Sequence, residues 1–234
     1  MELFQIAHME SKYKEKFGIS RQAGLVKHAA GRIVFEDLYR ELDSVRGLEE
    51  FSHIWILWGF HKNPSKRRGE WSPTVRPPKL GGRLRKGVFA TRSPNRPNPI
   101  GLSCVEIFDI DINSPGGPFI YVSGVDLLDG TPIYDIKPFI PYADNHPDAK
   151  GGFSEASAKK NVDVVVRCPE FQMLQAVDSN AIVEILKQDP RDAYEKKENH
   201  EYGIFYGEYN VKFHAENDTI YIDKIEKDSF TMTK

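Results

Sequence analysis

The segment Ser52–His61, SHIWILWGFH, is nearly continuous in β-branched and aromatic residues. A run of this composition predicts a strand that is buried on both faces. Further segments of strand character lie on either side of it, separated by turn sequences such as Asp129-Gly130. The other predicted strands are Leu3–Met9, Gly24–Phe35, Gly87–Thr91, Gly101–Ile112, Phe119–Leu128, Tyr134–Pro141 and Val162–Arg167.

Many short strands without long helices between them favour a closed β-barrel over a doubly wound sheet. One amphipathic helix is predicted at about Asp37–Val45, where apolar residues recur at helical spacing. Beyond Pro169 the pattern changes to helices and hairpin-like strands, predicted at Glu170–Ala176, Asn180–Gln188 (capped by Ser179), Tyr202–His214 and Thr219–Ile225. We therefore expect a mainly β fold, with a closed β-barrel domain in residues 1–167 and a small α+β domain in residues 168–234.

The composition is that of an ordinary globular protein, with 40% hydrophobic and 28% charged residues among 234. No apolar run approaches the roughly 18 to 20 residues of a membrane-spanning helix, and the first residues lack the pattern of a secretory signal. The two cysteines, Cys104 and Cys168, form no CxxC spacing, so a cytoplasmic protein is expected. No spacing of the seven histidines indicates a metal site, so none is expected.

Sequence motifs of several common enzyme classes are missing. There is no GxGxxG after a strand and no GxxxxGKS/T, so neither Rossmann nor P-loop nucleotide binding is supported. There is no GxSxG, and no cysteine stands in the setting of a nucleophile, so acyl transfer is not supported either.

Charge is distributed unevenly along the chain. The window from Lys62 to Arg96 holds eleven basic residues and one acidic residue, a net charge of +10, so the remainder carries −12 of the overall −2. A concentrated cationic segment on an otherwise anionic protein is typical of a protein that binds a polyphosphate partner such as nucleic acid. The alternative is a solvated basic loop without a partner.

A proline-rich stretch, Arg92–Ser103, reads RSPNRPNPIGLS. Three prolines in six residues fix the backbone in a stiff, extended form between two predicted strands. This rigidity suits polar side chains that are held ready for a ligand, because ordering them beforehand lowers the entropy lost on binding. A proline-rich turn at a barrel rim, with no ligand, is an equally good interpretation of the residues alone.

The stretch Asp126–Tyr142, DLLDGTPIYDIKPFIPY, contains a tight turn at Asp129-Gly130-Thr131-Pro132. The turn offers backbone amides, a hydroxyl and a carboxylate at one point, and Asp135 follows Asp129 by six residues. Two carboxylates near one rim are able to divide the roles of acid and base, although an Asp-Gly turn is as often a plain hairpin. Two shorter polar segments, Ser20–Gly24 and Gly59–Lys62, adjoin predicted strands; a lone histidine such as His61 is more often structural than catalytic.

The two segments ATRSPNRPNPIGLS (Ala90–Ser103) and LDGTPIYDIKPFIPYAD (Leu128–Asp144) together resemble the signature of the bacterial TrmO family, also called YaeB or TsaA. The resemblance implies a β-barrel methyltransferase, neither Rossmann nor knotted, that works as a homodimer with S-adenosylmethionine. Its implied substrate is N6-threonylcarbamoyladenosine at position 37 of the tRNA anticodon loop. The implied cofactor contacts are Gln22, Ala23, Gly24, His61, Lys62, Arg92, Leu102, Asp129, Gly130, Thr131 and Pro132.

The acceptor nitrogen of such a substrate carries a carbamoyl group, which makes it a poor nucleophile with a more acidic N–H, so a proton acceptor would help. The catalytic candidates are Asp129, Asp135 and Tyr134, and the candidates for RNA phosphates are Arg67, Arg68, Arg83, Arg85, Lys86 and Arg96. Residues 170–234 carry a net charge of −6, which argues against a simple electrostatic role in tRNA binding. The competing hypothesis is a non-catalytic nucleic-acid-binding regulator with a small-molecule-sensing barrel.

Overall fold

The computed structural model describes residues 2–62, 71–77, 84–157, 161–191 and 200–227. Its strands are β1 (Ala7–Ser11), β2 (Ala30–Phe35), β3 (His53–Gly59), β4 (Thr74–Val75), β5 (Lys86–Gly87), β6 (Ile100–Asp111), β7 (Phe119–Ser123), β8 (Thr131–Pro138), β9 (Asp163–Val166), β10 (Tyr202–Tyr206), β11 (Tyr209–Glu216) and β12 (Thr219–Lys227). The α-helices are α1 (Pro141–Asp144) and α2 (Ala176–Lys187). In the part of the chain that is described, no helix is both long and apolar enough to cross a membrane.

Six strands close into an antiparallel barrel in the order β1-β2-β7-β6-β3-β8, with β8 returning to β1. This arrangement confirms the mainly β class and the closed barrel expected from the many short strands. The small ribbon β4–β5 stands outside the barrel. The segment predicted as a strand at Gly87–Thr91 contains only the end of β5, followed by a 3₁₀ turn at Val88–Ala90.

The barrel interior is filled by every second residue of each strand. In β3 the residues Ile54, Ile56 and Trp58 are buried, whereas the alternating residues such as Trp55 are half-buried. The prediction that this strand is buried on both faces is therefore wrong. A barrel has one interior, and the outer face of β3 is covered only in part, by contacts such as Trp55 with Phe139, whose ring centroids are 6.0 Å apart.

The predicted amphipathic helix at Asp37–Val45 is also wrong. Its place is taken by 3₁₀ turns at Asp37–Tyr39, Leu42–Val45 and Leu48–Glu50. Of the apolar residues that suggested the helix, only Val45 is buried, while Leu38 and Leu42 are 80% and 51% exposed. Since the helical spacing brings no common apolar face to the barrel, a continuous helix has nothing to stabilise it there.

The second unit consists of α2 and a four-stranded sheet in the order β10-β11-β12-β9, in which β9 runs parallel to β12. The helix α2 buries Ala181, Ile182, Ile185 and Leu186. It begins at Ala176, so Ser179 lies inside it and does not cap it, and the helix expected at Glu170–Ala176 is a 3₁₀ turn at Pro169–Met173. Because β9 precedes the boundary expected between residues 167 and 168, we propose that this unit starts ahead of β9.

The connection from β1 to β2, residues 12–29, packs against the second unit. Tyr13, Val26 and Ala29 belong to the same buried cluster as the residues of α2 and β10–β12. The Tyr13 ring meets the edge of Tyr206 at a centroid distance of 5.5 Å. At the surface, the backbone N–H of His28 donates to Glu184 at 3.0 Å. The connection is therefore held by the barrel at its ends and by the second unit along its length.

Candidate functional site

Three connections leave the barrel at the same end. β1, β3 and β7 finish there, at Ser11, Gly59 and Ser123, and we call this end the upper rim. From it run residues 12–29, 60–99 and 124–130, which carry most of the predicted site residues. The connections touch one another: Gly24 N–H donates to the Gly124 carbonyl at 2.8 Å, and Lys16 Nζ donates to the Lys62 carbonyl at 2.6 Å.

Arg92 and Gln22 meet across two of these connections, with the guanidinium Nη1 of Arg92 donating to Gln22 Oε1. The guanidinium of Arg96 is turned inward to its own loop, where Nε donates to the Ser93 carbonyl at 2.9 Å and Nη2 donates to the Thr91 carbonyl. Arg92 is thus directed at the segment that contains Gln22, whereas Arg96 braces the proline-rich loop.

The backbones of Gly24 and Gly124 approach each other closely. Both residues have positive φ, +79° and +75°, and a Cβ on Gly124 would lie 3.1 Å from the N and Cα of Gly24. Position 124 requires glycine because its φ is positive and because a Cβ there would crowd the backbone of Gly24. Beside Gly24 itself, and beside Gly130 with φ +74°, no atom lies within 4 Å of a Cβ position, so space is open at both.

The turn at Asp129–Pro132 is more self-contained than the sequence suggested. The N–H groups of Asp129 and Gly130 donate to the carbonyls of Tyr13 and Met9 at 2.9 and 2.8 Å. The hydroxyl of Thr131, which is buried, donates to the Leu128 carbonyl at 2.6 Å. These amides and this hydroxyl are satisfied within the protein and are not offered to a ligand.

The Asp129 carboxylate also has partners on both oxygens. Oδ1 accepts from the Ser11 N–H at 2.9 Å, and Oδ2 pairs with Lys14 Nζ at 2.8 Å. These contacts fasten the turn to the start of the connection 12–29.

Tyr134 and Asp135 lie at an irregularity of β8. Leu57 of β3 pairs with Asp135 and Trp58 pairs with Ile133, so Tyr134 is the extra residue of a β-bulge. The Tyr134 hydroxyl lies over Gly59, where a Cβ would come within 2.6 Å of it. Tyr134 therefore stands beside the strand end that leads to His61.

Asp135 is not brought to the upper rim. Its carboxylate pairs with Lys137 at 3.0 Å, and the residue lines a cavity of about 720 Å³ at the opposite end of the barrel, beside Phe35 and Val45. The expectation that Asp129 and Asp135 lie near one rim is wrong, since the strand between them runs down the barrel wall.

Asp126 is a residue of this end that sequence reasoning passed over. Ser103, inside the barrel on β6, donates its hydroxyl proton to Asp126 Oδ1 at 2.6 Å, and Trp58 Nε1 donates to Ser103 Oγ at 2.9 Å. The Ala23 backbone and the charge of Arg92 favour the ionised form of this carboxylate. Burial raises the pKa of Asp126 to about 6 against the opposing effect of these donors.

His61, Lys62 and Leu102 complete the predicted cofactor contacts. Burial lowers the pKa of His61, and the charges of Lys62 and Lys16 lower it further, so the ring is neutral at pH 7. Leu102 lies on the outer face of β6 and is 54% exposed, between the inward residues Gly101 and Ser103. The structure therefore places Leu102 on a different face from Arg92 and Asp126.

The candidate RNA contacts divide into three groups, of which Arg96 alone forms one, because its guanidinium is turned to its own loop. Arg67, Arg68 and Arg83 lie outside the described residues. Arg85 donates to Thr74 Oγ1 at 3.1 Å, and Lys86 Nζ lies 5.3 Å above the Phe153 ring, so both are placed by the ribbon β4–β5. Within the described ranges, no group of three or more His, Cys, Asp or Glu side chains is arranged to hold a metal ion.

Comparison with known proteins gives matches along most of the chain. Residues 8–145 match the family described as tRNA-methyltransferase O N-terminal domain, and residues 155–228 match the TrmO C-terminal domain. The tRNA (adenine(37)-N6)-methyltransferase of Escherichia coli strain K12 is 42% identical over 217 residues, covering 89% of this chain and 91% of that protein. RcsF of Pseudomonas aeruginosa, whose name describes an S-adenosylmethionine-dependent methyltransferase, is 37% identical over 89% of this chain and 90% of that protein. A crystal structure of TrmO from P. aeruginosa has a TM-score of 0.75 at 30% identity, covering 97% of each chain.

The raised pKa of Asp126 predicts a pH-dependent stability. Below pH 4 the carboxyl is neutral in the folded and the unfolded chain; between pH 4 and 6 only the unfolded chain loses its proton, so stability falls as pH rises. Asp126→Asn removes this cost and should raise the free energy of unfolding above pH 6 by up to about 3 kcal/mol. Urea unfolding of both proteins at pH 4 and pH 7.5 measures the effect, with Asp109→Asn on the exposed side of β6 as the control. Equal stability differences at the two pH values would contradict the prediction.

Proposed function

Because the chain belongs to the TrmO family of S-adenosylmethionine-dependent tRNA methyltransferases, we propose that it methylates N6 of N6-threonylcarbamoyladenosine at position 37 of the anticodon loop. The observation that carries the proposal is the convergence of the three connections at the upper rim, where Gln22 meets Arg92 and Gly24 meets Gly124. A protein that only bound nucleic acid would not need a small-molecule site at this rim.

The residues present fit S-adenosylmethionine. The cofactor carries a cationic sulfonium and ammonium together with a carboxylate, and the upper rim contains the Arg92 guanidinium and the Asp126 carboxylate. Open space beside Gly24 and Gly130 lets a ligand approach the backbone. We propose that Gln22, Ala23, Gly24, His61, Lys62 and Arg92 hold the cofactor, and that it passes through the open space beside Gly130. When bound, the cofactor supplies a methyl group already activated on sulfur, so the transfer itself requires no metal.

We propose that Tyr134 is the group that faces the reacting nitrogen. As the nitrogen gains the methyl group it must lose its proton, and a neighbouring oxygen that accepts a hydrogen bond from this N–H assists the loss. Among the three candidates, Asp135 lies toward the other end of the barrel, and Asp129 has both oxygens engaged. The Tyr134 hydroxyl lies over Gly59, at the strand end that continues to His61.

The tRNA is proposed to lie along the basic segment from Lys62 to Arg96, outside the barrel rim. Arg85 and Lys86 are fixed by the ribbon β4–β5 and are proposed to contact phosphates of the anticodon loop. Presentation of a single nucleotide to the rim agrees with the way in which RNA loops are usually recognised.

We also propose that the protein acts in the cytoplasm as a homodimer. The two cysteines are free, as is usual in a reducing compartment. Leu102 lies on the outer face, where a second copy is able to complete its surroundings, and Phe108 of the same strand is 58% exposed.

The substrate is tested by methyl transfer from radiolabelled S-adenosylmethionine to two tRNA preparations, one with and one without the threonylcarbamoyl group at adenosine 37. We expect transfer to the modified tRNA alone, with the label in N6-methyl-N6-threonylcarbamoyladenosine when the nucleosides are separated by mass spectrometry. Equal transfer to both preparations would reject the proposed substrate. Cofactor binding without transfer to either would favour a non-catalytic regulator.

The role of Tyr134 is tested by Tyr134→Phe, which removes the hydroxyl and keeps the ring. We expect kcat to fall by about a hundredfold or more, with an unchanged affinity for the cofactor, because general-base assistance contributes about 10² to 10⁴ in rate. Tyr142→Phe, at a tyrosine that is 92% exposed on α1, serves as the matched control. A kcat near that of the unchanged protein in Tyr134→Phe would remove this hydroxyl from the mechanism.

The basic segment is tested by the double change Arg85→Ala and Lys86→Ala. If both side chains neutralise phosphates, tRNA affinity should fall and the slope of log K against log salt should become shallower by about 1.4. The control is Lys224→Ala with Lys227→Ala on β12, which removes the same charge from the second unit. Filter binding between 50 and 200 mM salt measures the slope; the same slope in both double variants would show that Arg85 and Lys86 face solvent.

A further inference from the structure

Two aromatic rings stand in contact with each other at the surface beside the ribbon β4–β5. Trp71 is 39% exposed and Phe89 is 74% exposed, and their ring centroids are 5.7 Å apart with the planes inclined by 36°. Among the phenylalanines that the structure describes, Phe89 is the most exposed. A single apolar side chain at the surface is ordinary, but two large rings in contact form a patch, which we call the aromatic platform.

The register of the ribbon brings the two rings together. Thr74 of β4 pairs with Gly87 of β5 in antiparallel register. The pairing continues past the strand ends, because the Val88 N–H donates to the Pro73 carbonyl at 2.9 Å. The residues that precede β4 and those that follow β5, including both rings of the platform, therefore lie at the same end of the ribbon.

The turn that carries Phe89 is braced from the inside. Val88, its neighbour in the 3₁₀ turn, is buried, and its carbonyl accepts from the Thr91 N–H at 3.1 Å and from the Thr91 hydroxyl at 2.8 Å. The Arg96 guanidinium donates to the Thr91 carbonyl. Phe89 is thus held in place while its ring faces solvent, and a ligand that stacks on it would cost little ordering entropy.

Positive charge surrounds the platform. The described residues 71–77 and 84–92 contain no acidic residue and four basic ones, Arg76, Arg85, Lys86 and Arg92. Aromatic rings among cationic side chains are the arrangement that binds single-stranded nucleic acid, because a base stacks on a ring while the phosphates meet the charges. A two-fold contact between copies of this chain suits the patch less well, since it would bring these four positive charges against the same four.

The platform lies close to the upper rim. Phe89 precedes Arg92 by three residues, so their Cα atoms are at most about 11 Å apart, and the Arg92 guanidinium meets Gln22. We propose that Trp71 and Phe89 stack one unpaired base of the anticodon loop, from a nucleotide next to the adenosine that is methylated. This inference rests on the proposed function and deepens it, because it names the side chains that place the loop beside the rim.

The protein side of the contact is tested by fluorescence anisotropy with a labelled anticodon stem-loop RNA that carries N6-threonylcarbamoyladenosine at position 37. Phe89→Ala and Phe89→Leu should bind it at least about fivefold more weakly, because one stacked base contributes about five- to a hundredfold in affinity. Phe89→Trp should bind like the unchanged protein. The slope of log K against log salt should stay the same in all three variants, since none of them removes a charge.

The matched control is Phe4→Ala, at a phenylalanine that is 62% exposed and precedes β1, at the end of the barrel opposite the upper rim. It should leave RNA affinity unchanged. Calorimetric titration with S-adenosylmethionine should give the same affinity for Phe89→Ala as for the unchanged protein, because the platform contacts RNA and not the cofactor.

The RNA side is tested with two further stem-loops, each with an abasic nucleotide on one side of adenosine 37. One of them should weaken binding of the unchanged protein by about the same factor as Phe89→Ala does. The same RNA should cause no further loss in Phe89→Ala, because removing either partner removes the same contact. Additive losses would overturn the inference.

Other outcomes would overturn it as well. Unchanged affinity in Phe89→Ala would show that the ring does not contact RNA, and full affinity in Phe89→Leu would show an apolar contact without stacking. A smaller oligomer of Phe89→Ala in sedimentation would assign the platform to a contact between copies of the chain. If the unchanged protein neither binds the stem-loop nor methylates it, the proposed function fails; normal binding and methylation together with an unaltered Phe89→Ala would remove this inference alone.

Discussion

Closure of the barrel by the pairing of β8 with β1 is the constraint from which the position of the site follows. Ala7 pairs with Ile133 and Met9 with Thr131, so the last of the six barrel strands pairs antiparallel with the first. In such a barrel, successive connections must alternate between the two ends. The connections that follow β1, β3 and β7 therefore share the upper rim, whereas residues 36–52 and 112–118 are confined to the opposite end. Loops separated by up to a hundred residues therefore become neighbours because of the strand topology, and they need no contacts of their own to bring them together.

The second unit contributes to the same rim by packing. Its net charge of −6 is unsuited to a general attraction for phosphates, and its contacts with the barrel domain fall on the connection that carries Gln22, Ala23 and Gly24. Tyr13, Val26 and Ala29 are buried in its core, and Ile204 lies against Gly18, where a Cβ would come within 2.9 Å of it. A long connection without a sheet of its own loses much conformational entropy when ordered, and this burial offsets the loss. The unit thus orders the connection that carries the predicted cofactor contacts, and this role does not depend on RNA.

How far the sequence predicts this structure depends on whether a pattern is local. The barrel strands and the motifs at the rim were predictable, because alternation, turn residues and the proline run are properties of neighbouring residues. The helix expected at Asp37–Val45 failed because apolar spacing alone does not show whether a face is there to receive it. Asp135 was misplaced because the strand β8, which begins at Thr131, carries it about 13 Å down the barrel wall from the turn. Asp126 was not singled out because its contact with Ser103, 23 residues earlier in the chain, forms only when the barrel folds.

A chain of hydrogen bonds joins the upper rim to the barrel interior. Trp58 Nε1 donates to Ser103 Oγ at 2.9 Å, and the Ser103 hydroxyl donates to Asp126 Oδ1 at 2.6 Å, so the connection 124–130 is held by β3 and β6. Burial raises the pKa of Asp126 to about 6, so above that pH the charged carboxylate lowers the stability of the fold. The other two connections are held to each other by the hydrogen bond from Arg92 to Gln22. Polar side chains of the rim are therefore ordered before a ligand arrives, which lowers the entropy lost on binding.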